Sequence, residues 1–211
     1  MSIVNEVFKR FLEKNPNPET ELDYTNPFTL ALAVILSAQS TDKGVNKATK
    51  ALFEKIHTPS QMLALSEEGL KSYIKTIGLF NSKAANIIKF SKILVEEYHE
   101  ILPLDKKTLE SFPGIGRKTA NVILTVLTDE ETFPVDTHVA RVSFRLGLTK
   151  ETNPLKIEAD LDALIMQPYR KNAHHWLVLH GRYICKAPKP KCHECYLADI
   201  CPSIDFYLKK S

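Results

Sequence analysis

Three groups of residues in this 211-residue chain have types and spacings suited to chemistry: a lysine beside two glycines, an aspartate opening a helix, and four cysteines. In the stretch Phe112-Pro113-Gly114-Ile115-Gly116-Arg117-Lys118-Thr119-Ala120, Pro113-Gly114 fits the two central positions of a type II turn, the second of which needs positive φ. Gly116 is a second residue without a Cβ. The backbone N–H groups at the start of the next helix therefore face outward, a seat for a phosphate. Lys118 falls in the first turn of that helix. A helix N-terminus carries partial positive charge, which disfavours an ammonium and favours the neutral, nucleophilic amine. On an arbitrary helix such a lysine is a solvated surface residue; the glycine hairpin before it is what points to a nucleophile.

Asp136 follows Pro134-Val135 and precedes a helical stretch, so its plainest role is an N-cap that accepts a backbone N–H. Capping and chemistry are compatible, because those hydrogen bonds favour the ionised carboxylate. A fixed anion can stabilise positive charge developing in a substrate and help take a proton from an amine. The cysteines Cys185, Cys192, Cys195 and Cys201 follow C-x6-C-x2-C-x5-C, with none elsewhere. In a reducing compartment such crowding points to metal rather than disulfides. Zinc modules usually show two close pairs and only Cys192/Cys195 is one here, yet spacing alone leaves zinc and an iron–sulfur cluster both open.

The elements that must position these groups read as helices. Several of the 12 prolines follow a capping residue at a helix start, as in Asn26-Pro27, Thr58-Pro59 and Asn153-Pro154. Ile3, Val4, Val7, Phe8, Phe11 and Leu12 form one helical stripe, and residues 27–37 form an apolar core helix too short to span a membrane. Helices are expected at 43–53, 59–65, 67–75, 106–112 and from 117 onward. Gly78 is expected to close one helix, Leu79 and Phe80 to lie in the connection, and Asn81 to cap a long helix reaching Tyr98. Beyond the acidic loop Asp129-Glu130-Glu131, helices are expected at 137–146, 154–166 and 172–185. The N-terminus is charged throughout, with no apolar signal-peptide core. A cytoplasmic protein is expected.

The net charge of +3 is only mildly basic, but Pro168–Cys195 holds Arg170, Lys171, Arg182, Lys186, Lys189 and Lys191 against Glu194 alone, a local charge of +5. A basic window of this kind suits a polyanion.

The 112–124 stretch resembles the helix-hairpin-helix of the endonuclease III family of DNA base-excision glycosylases, and Val135-Asp136-Thr137-His138-Val139-Ala140-Arg141-Val142 is similar to the family's second signature. The resemblance runs over nearly the whole chain. It implies an all-α fold of two helical domains flanking a DNA-binding cleft. Residues 21–130 would form a six-helix domain with the helix-hairpin-helix at about 106–125; 1–20 plus 131–211 would form a discontinuous domain carrying the cluster loop, 185–201. It implies Lys118 as the nucleophile, Asp136 as its partner, and a [4Fe–4S] cluster on Cys185, Cys192, Cys195 and Cys201. The activity implied is removal of oxidised or ring-saturated pyrimidines from double-stranded DNA and β-elimination at the abasic site, by a monomer acting on nucleoid DNA if bacterial.

For DNA contact the resemblance implies insertion of Gln39 and Leu79 into the gap left by an extruded nucleotide, and phosphate contacts at Gly114, Gly116, Lys186, Lys189 and Lys191. Arg117 reads as a phosphate contact and His138 as a residue that orients Asp136 or the substrate, each with a solvated role as the alternative, while His174, His175 and Trp176 read as helix packing. Adenine glycosylases share the hairpin, aspartate and cluster but lack the lysine and usually carry a further C-terminal domain, so Lys118 and the end at Ser211 set this chain apart. The 8-oxoguanine glycosylases lack the cysteine set. A non-catalytic DNA-binding module or an iron–sulfur electron carrier needs neither Lys118 nor Asp136.

Overall fold

The structure is a computed structural model that describes residues 3–128 and 130–208; Asp129 of the expected acidic loop and Ser211 lie outside them. Among the described residues all regular structure is helical, and no helix is long and apolar enough to cross a membrane. The chain divides into two compact units, one built from the described residues within Met1–Glu19 and Asp129–Ser211, the other from Thr20–Thr128.

The Thr20–Thr128 unit is built around α2 (Pro27–Ser37), in which every residue from Phe28 to Leu36 is buried. A helix apolar all round has no solvent face, so neighbours must cover it. They are α3 (Asp42–Phe53), α5 (Phe80–Glu97) and α7 (Arg117–Leu127), while α4 (Pro59–Ile74) packs on α5 and α6 (Lys106–Ser111) on α7. Burial of α2 leaves its first-turn N–H groups without water, and a capping box supplies them: Thr29 N–H donates to Asn26 Oδ1 at 2.9 Å, and Asn26 N–H to Thr29 Oγ1 at 3.0 Å. α4 bends at Ser66, where φ is 69°, so the two expected helices meet at a kink.

One expected cap is overturned. α5 begins at Phe80 after Leu79, which occupies the left-handed region at φ 59°, so Asn81 lies within the first turn instead of capping it. Gly78 stands four residues beyond the end of α4 and does not close it. A leucine in the left-handed region gives no sequence signal for a helix start, which is why the sequence pattern puts Phe80 in the connection.

In the other unit, α1 (Ile3–Lys14), α8 (Thr137–Arg145), α9 (Pro154–Leu164) and α10 (Arg170–Tyr183) surround a core of Val7, Phe8, Phe11, Val139, Val142, Leu161, Trp176 and Leu177. Phe11 stacks on Trp176 with centroids 6.2 Å apart, and Trp176 Nε1 donates to Asn15 O at 2.7 Å, which fastens the end of α1 to α10. α8 and α10 meet at Gly181, where a Cβ would sit 2.9 Å from His138 Cβ and 3.0 Å from Val142 Cγ2. Any side chain there would drive the two helices apart. A short last helix, α11 (Ile204–Leu208), has no counterpart in the sequence reading.

Phe90 is fully buried between Phe28 and Phe112, with centroids 6.1 and 5.2 Å away. Phe90→Ala should therefore destabilise the protein by about 3–5 kcal/mol. Urea unfolding followed by circular dichroism measures it, and a loss below about 1 kcal/mol would mean the Thr20–Thr128 core is not packed this way.

Candidate active site and cysteine cavity

In the Thr20–Thr128 unit, the hairpin between α6 and α7 forms as its residues require. Asp105 caps α6 by accepting the Thr108 N–H at 2.9 Å, a bond that lowers its carboxyl's pKa. The turn closes with Ile115 N–H donating to Phe112 O at 3.1 Å, and Gly114 holds φ +82°. A Cβ on Gly114 would meet Asn86 Cβ at 3.1 Å, so conformation and space both demand glycine there.

Gly116 is different. Its φ of −97° is open to any residue, and a Cβ built on it would meet nothing within 4 Å. What the missing side chain preserves is access to the start of α7, where no side chain caps the first N–H groups. Arg117 and Lys118 stand exposed in that first turn. Among the described residues, no hydrogen bond or ion pair is recorded for Lys118. Gln39 and Leu79 belong to the same unit and are both exposed, non-glycine residues in the left-handed region, at φ 57° and 59°.

The other unit carries Asp136, His138 and the cysteines. Asp136 caps α8 by accepting the N–H groups of both His138 and Val139 at 2.8 Å. Both bonds fall on Oδ1, so the carboxylate is fixed in place while Oδ2 takes neither. His138 serves Asp136 through its backbone, and its ring faces Arg141, whose Nη2 lies 3.1 Å from Nδ1. Arginine can only donate, so Nδ1 is the accepting side of that contact.

Arg141 and Arg145 were missed in the sequence, although Arg141 falls inside the stretch that contains Asp136. Arg141 donates to Gly181 O at 2.8 Å and Cys185 O at 3.0 Å, tying α8 to the end of α10. Buried Arg145 donates to Lys186 O at 2.8 Å, lies 3.4 Å from Cys185 Sγ and sits 4.2 Å over the Tyr207 ring. Their only advance signal was α-helical spacing on one face of α8.

The four cysteines line a single cavity together with Leu146, His180, Ile184, Ala198, Ile204 and Tyr207. Cys185 follows α10, and a hydrogen bond from Lys191 N to Ile184 O at 2.9 Å closes the loop that brings Cys192 back beside it. Two 3₁₀ turns, Cys192–Glu194 and Ala198–Ile200, set Cys195 and Cys201. Burial pushes the Cys195 thiol up to about 11 and raises Cys192 and Cys201 as well.

Among the described residues no group of three or more His, Cys, Asp or Glu is arranged to hold a metal ion. Four thiols lining one cavity could hold a metal centre there.

Lys186, Lys189 and Lys191 are exposed on the 186–191 loop, Lys191 in an ion pair with Glu194 at 2.8 Å. Arg170 leaves the expected basic patch: it is held by Glu131 at 2.9 Å and by Asp162, and serves the fold.

Residues 32–167 match the model of the HhH-GPD superfamily of base excision DNA repair proteins. The chain is 55% identical to the endonuclease III of Rickettsia conorii, over 97% of this chain and 96% of that protein. It is 48% identical to the endonuclease III of Escherichia coli K12, over 93% of each. Among solved structures it is similar to a trapped endonuclease III–DNA covalent intermediate, an estranged-adenine complex, with a TM-score of 0.90, 38% identity and 99% of both chains covered.

The cap and the charge of Asp136 can be separated by substitution. Asp136→Ala should cost about 1 kcal/mol of stability, whereas Asp136→Asn, a cap of equal rank, should cost less than about 0.5 kcal/mol. Equal losses for the two in urea unfolding would show that the hydrogen bonds seen here do not hold α8.

Proposed function

The chain belongs to the HhH-GPD superfamily of base excision DNA repair proteins and, within it, to the endonuclease III family, and from that premise we propose that Lys118 and Asp136 act together on one deoxyribose as a glycosylase and abasic-site lyase. The observation that carries this reading is the pair of helix starts. One is capped by a glycine with nothing beside it, leaving an exposed amine in the first turn; the other is capped by a carboxylate bonded through a single oxygen.

In the reaction, the Lys118 amine forms a bond to C1′ as the bond from C1′ to the damaged base breaks. Asp136 stabilises the positive charge that accumulates on the sugar and takes up the proton the amine sheds. Opening of the sugar ring transfers the C1′–O4′ electron pair to O4′, which is protonated, and leaves a C1′=N Schiff base. That iminium acidifies C2′–H. Loss of the proton drives out the 3′ phosphate by β-elimination, and water then releases Lys118. The two steps share one nucleophile, which accounts for glycosylase and lyase activity in one chain.

Gly114, Gly116 and Arg117 would take the phosphates of double-stranded DNA at the open end of α7, as would Lys186, Lys189 and Lys191 on their loop. Gln39 and Leu79 would fill the gap left by the extruded nucleotide, and His138 would lie near it. Oxidised or ring-saturated pyrimidines are the expected substrates, since lost aromaticity weakens stacking and eases flipping. The expected enzyme is a cytoplasmic monomer built from the two helical units.

Cys185, Cys192, Cys195 and Cys201 would hold a [4Fe–4S] cluster, a reading supported by their sharing one cavity. When bound, the cluster supplies four covalent cross-links within a short segment. These residues then stiffen the 186–191 loop and present its lysines.

Borohydride should trap a covalent complex between the protein and a duplex containing an abasic site; Lys118→Ala should trap none, and equal trapping would remove the nucleophile assignment. Asp136→Asn should slow base release by about 10²–10⁴-fold. The purified protein should be brown and hold about four iron atoms per chain. Zinc found in their place would overturn the cluster.

A further inference from the structure

Lys83 is a lysine that the proposed chemistry does not use. It lies in the first turn of α5, four residues after Leu79, and is only 6% exposed. Its Nζ donates to Leu36 O at 2.8 Å and Ala38 O at 2.6 Å and lies 3.3 Å from Ser40 Oγ. These three contacts account for all three ammonium hydrogens. The acceptors belong to the turn in which α2 ends and Gln39 stands out, and two of them are carbonyls left over where that helix stops.

The turn and the one carrying Leu79 adjoin. A Cβ on Gly78 would lie 3.8 Å from Gln39 O, an ordinary contact distance. Lys83 thus reaches both turns, the Leu79 turn through its backbone, where Lys83 N–H donates to Leu79 O at 3.1 Å, and the Gln39 turn through its ammonium. Both exposed residues sit in the left-handed region, which an unsupported chain would leave.

Part of this contact is structural, because an apolar side chain of similar length would fill the same space but leave the Leu36 and Ala38 carbonyls without the ammonium donor.

We propose that Lys83 is a positioning residue that locks the Gln39 and Leu79 turns together as one preformed wedge for the gap in a duplex. This rests on the reading that Gln39 and Leu79 fill that gap. A wedge held before binding spares the ordering entropy that two loose turns would lose on entering the DNA. The benefit arises only in a duplex, because a single strand has no opposite-strand gap to fill.

The test compares borohydride trapping on a 25-nucleotide duplex with a central abasic site and on the same strand without its complement. Lys83→Met should lower the ratio of duplex to single-strand trapping efficiency by about tenfold. Gln39→Ala and Leu79→Ala, run alongside, should lower the same ratio. If those two lower it and Lys83→Met does not, or if Lys83→Met reduces both substrates in parallel, Lys83 is not a positioning residue although the wedge reading stands. If neither Gln39→Ala nor Leu79→Ala moves the ratio, the wedge reading falls and this inference falls with it. Should Lys83→Met fail to fold, Ser40→Ala removes the one side-chain acceptor and leaves the core intact. It should lower the ratio by about twofold or more, and an unchanged ratio would overturn the assignment.

Discussion

Every α-helix leaves N–H and C=O groups at its ends that the helix itself does not bond, and the way this chain satisfies them decides where its chemistry can sit. The first turn of α2 is enclosed by a capping box and buried. The first turn of α8 is satisfied by the Asp136 carboxylate. The first turn of α7 is left uncapped behind Gly116. The three solutions match three uses: a core helix that must not touch water, a carboxylate that must not move, and a helix start that no side chain caps.

The same requirement links architecture to the cysteine segment. α10 ends at Tyr183, and the carbonyls beyond it are taken by side chains from α8, with Arg141 on Cys185 O and Arg145 on Lys186 O. Because α8 is also the helix that Asp136 caps, its two ends serve different centres. Its N-terminus fixes a carboxylate, and its C-terminal half supports the loop that carries the lysines. Gly181 keeps α8 and α10 close enough for those guanidinium groups to reach.

Local signals made most of the fold legible. Proline after a capping residue marked the starts of α2, α4 and α9, and the stripe of Phe8 and Phe11 marked α1 as a helix that must dock. The Gly114 turn and the Asp136 cap could be read because each is a contact between near neighbours in sequence. Features that depend on distant residues could not. Asn81 looked like a cap because it has the right chemistry, but the helix begins earlier, behind a leucine in a conformation that nothing in its type foretells. Arg170 looked like part of a basic patch until Glu131 and Asp162, far from it in sequence, were found against it. Lys83 showed no sign of burial, since its acceptors lie more than 40 residues upstream.

Lys83 and Lys118 show how one side chain takes opposite roles in the same electrostatic position. Each lies in the first turn of a helix, where partial positive charge from the backbone opposes an ammonium. Lys83 extends onto the C-terminal carbonyls of α2, whose partial negative charge offsets that opposition and holds the ammonium in the interior. Burial pulls its pKa below the ordinary value, but the carbonyls occupy its hydrogens and keep it from attacking anything. Lys118 has no helix C-terminus set against it among the described residues, and its amine stays exposed and unengaged. What separates a structural lysine from a nucleophile here is therefore the acceptor in front of the amine, and that acceptor is supplied, or withheld, by where another helix happens to end.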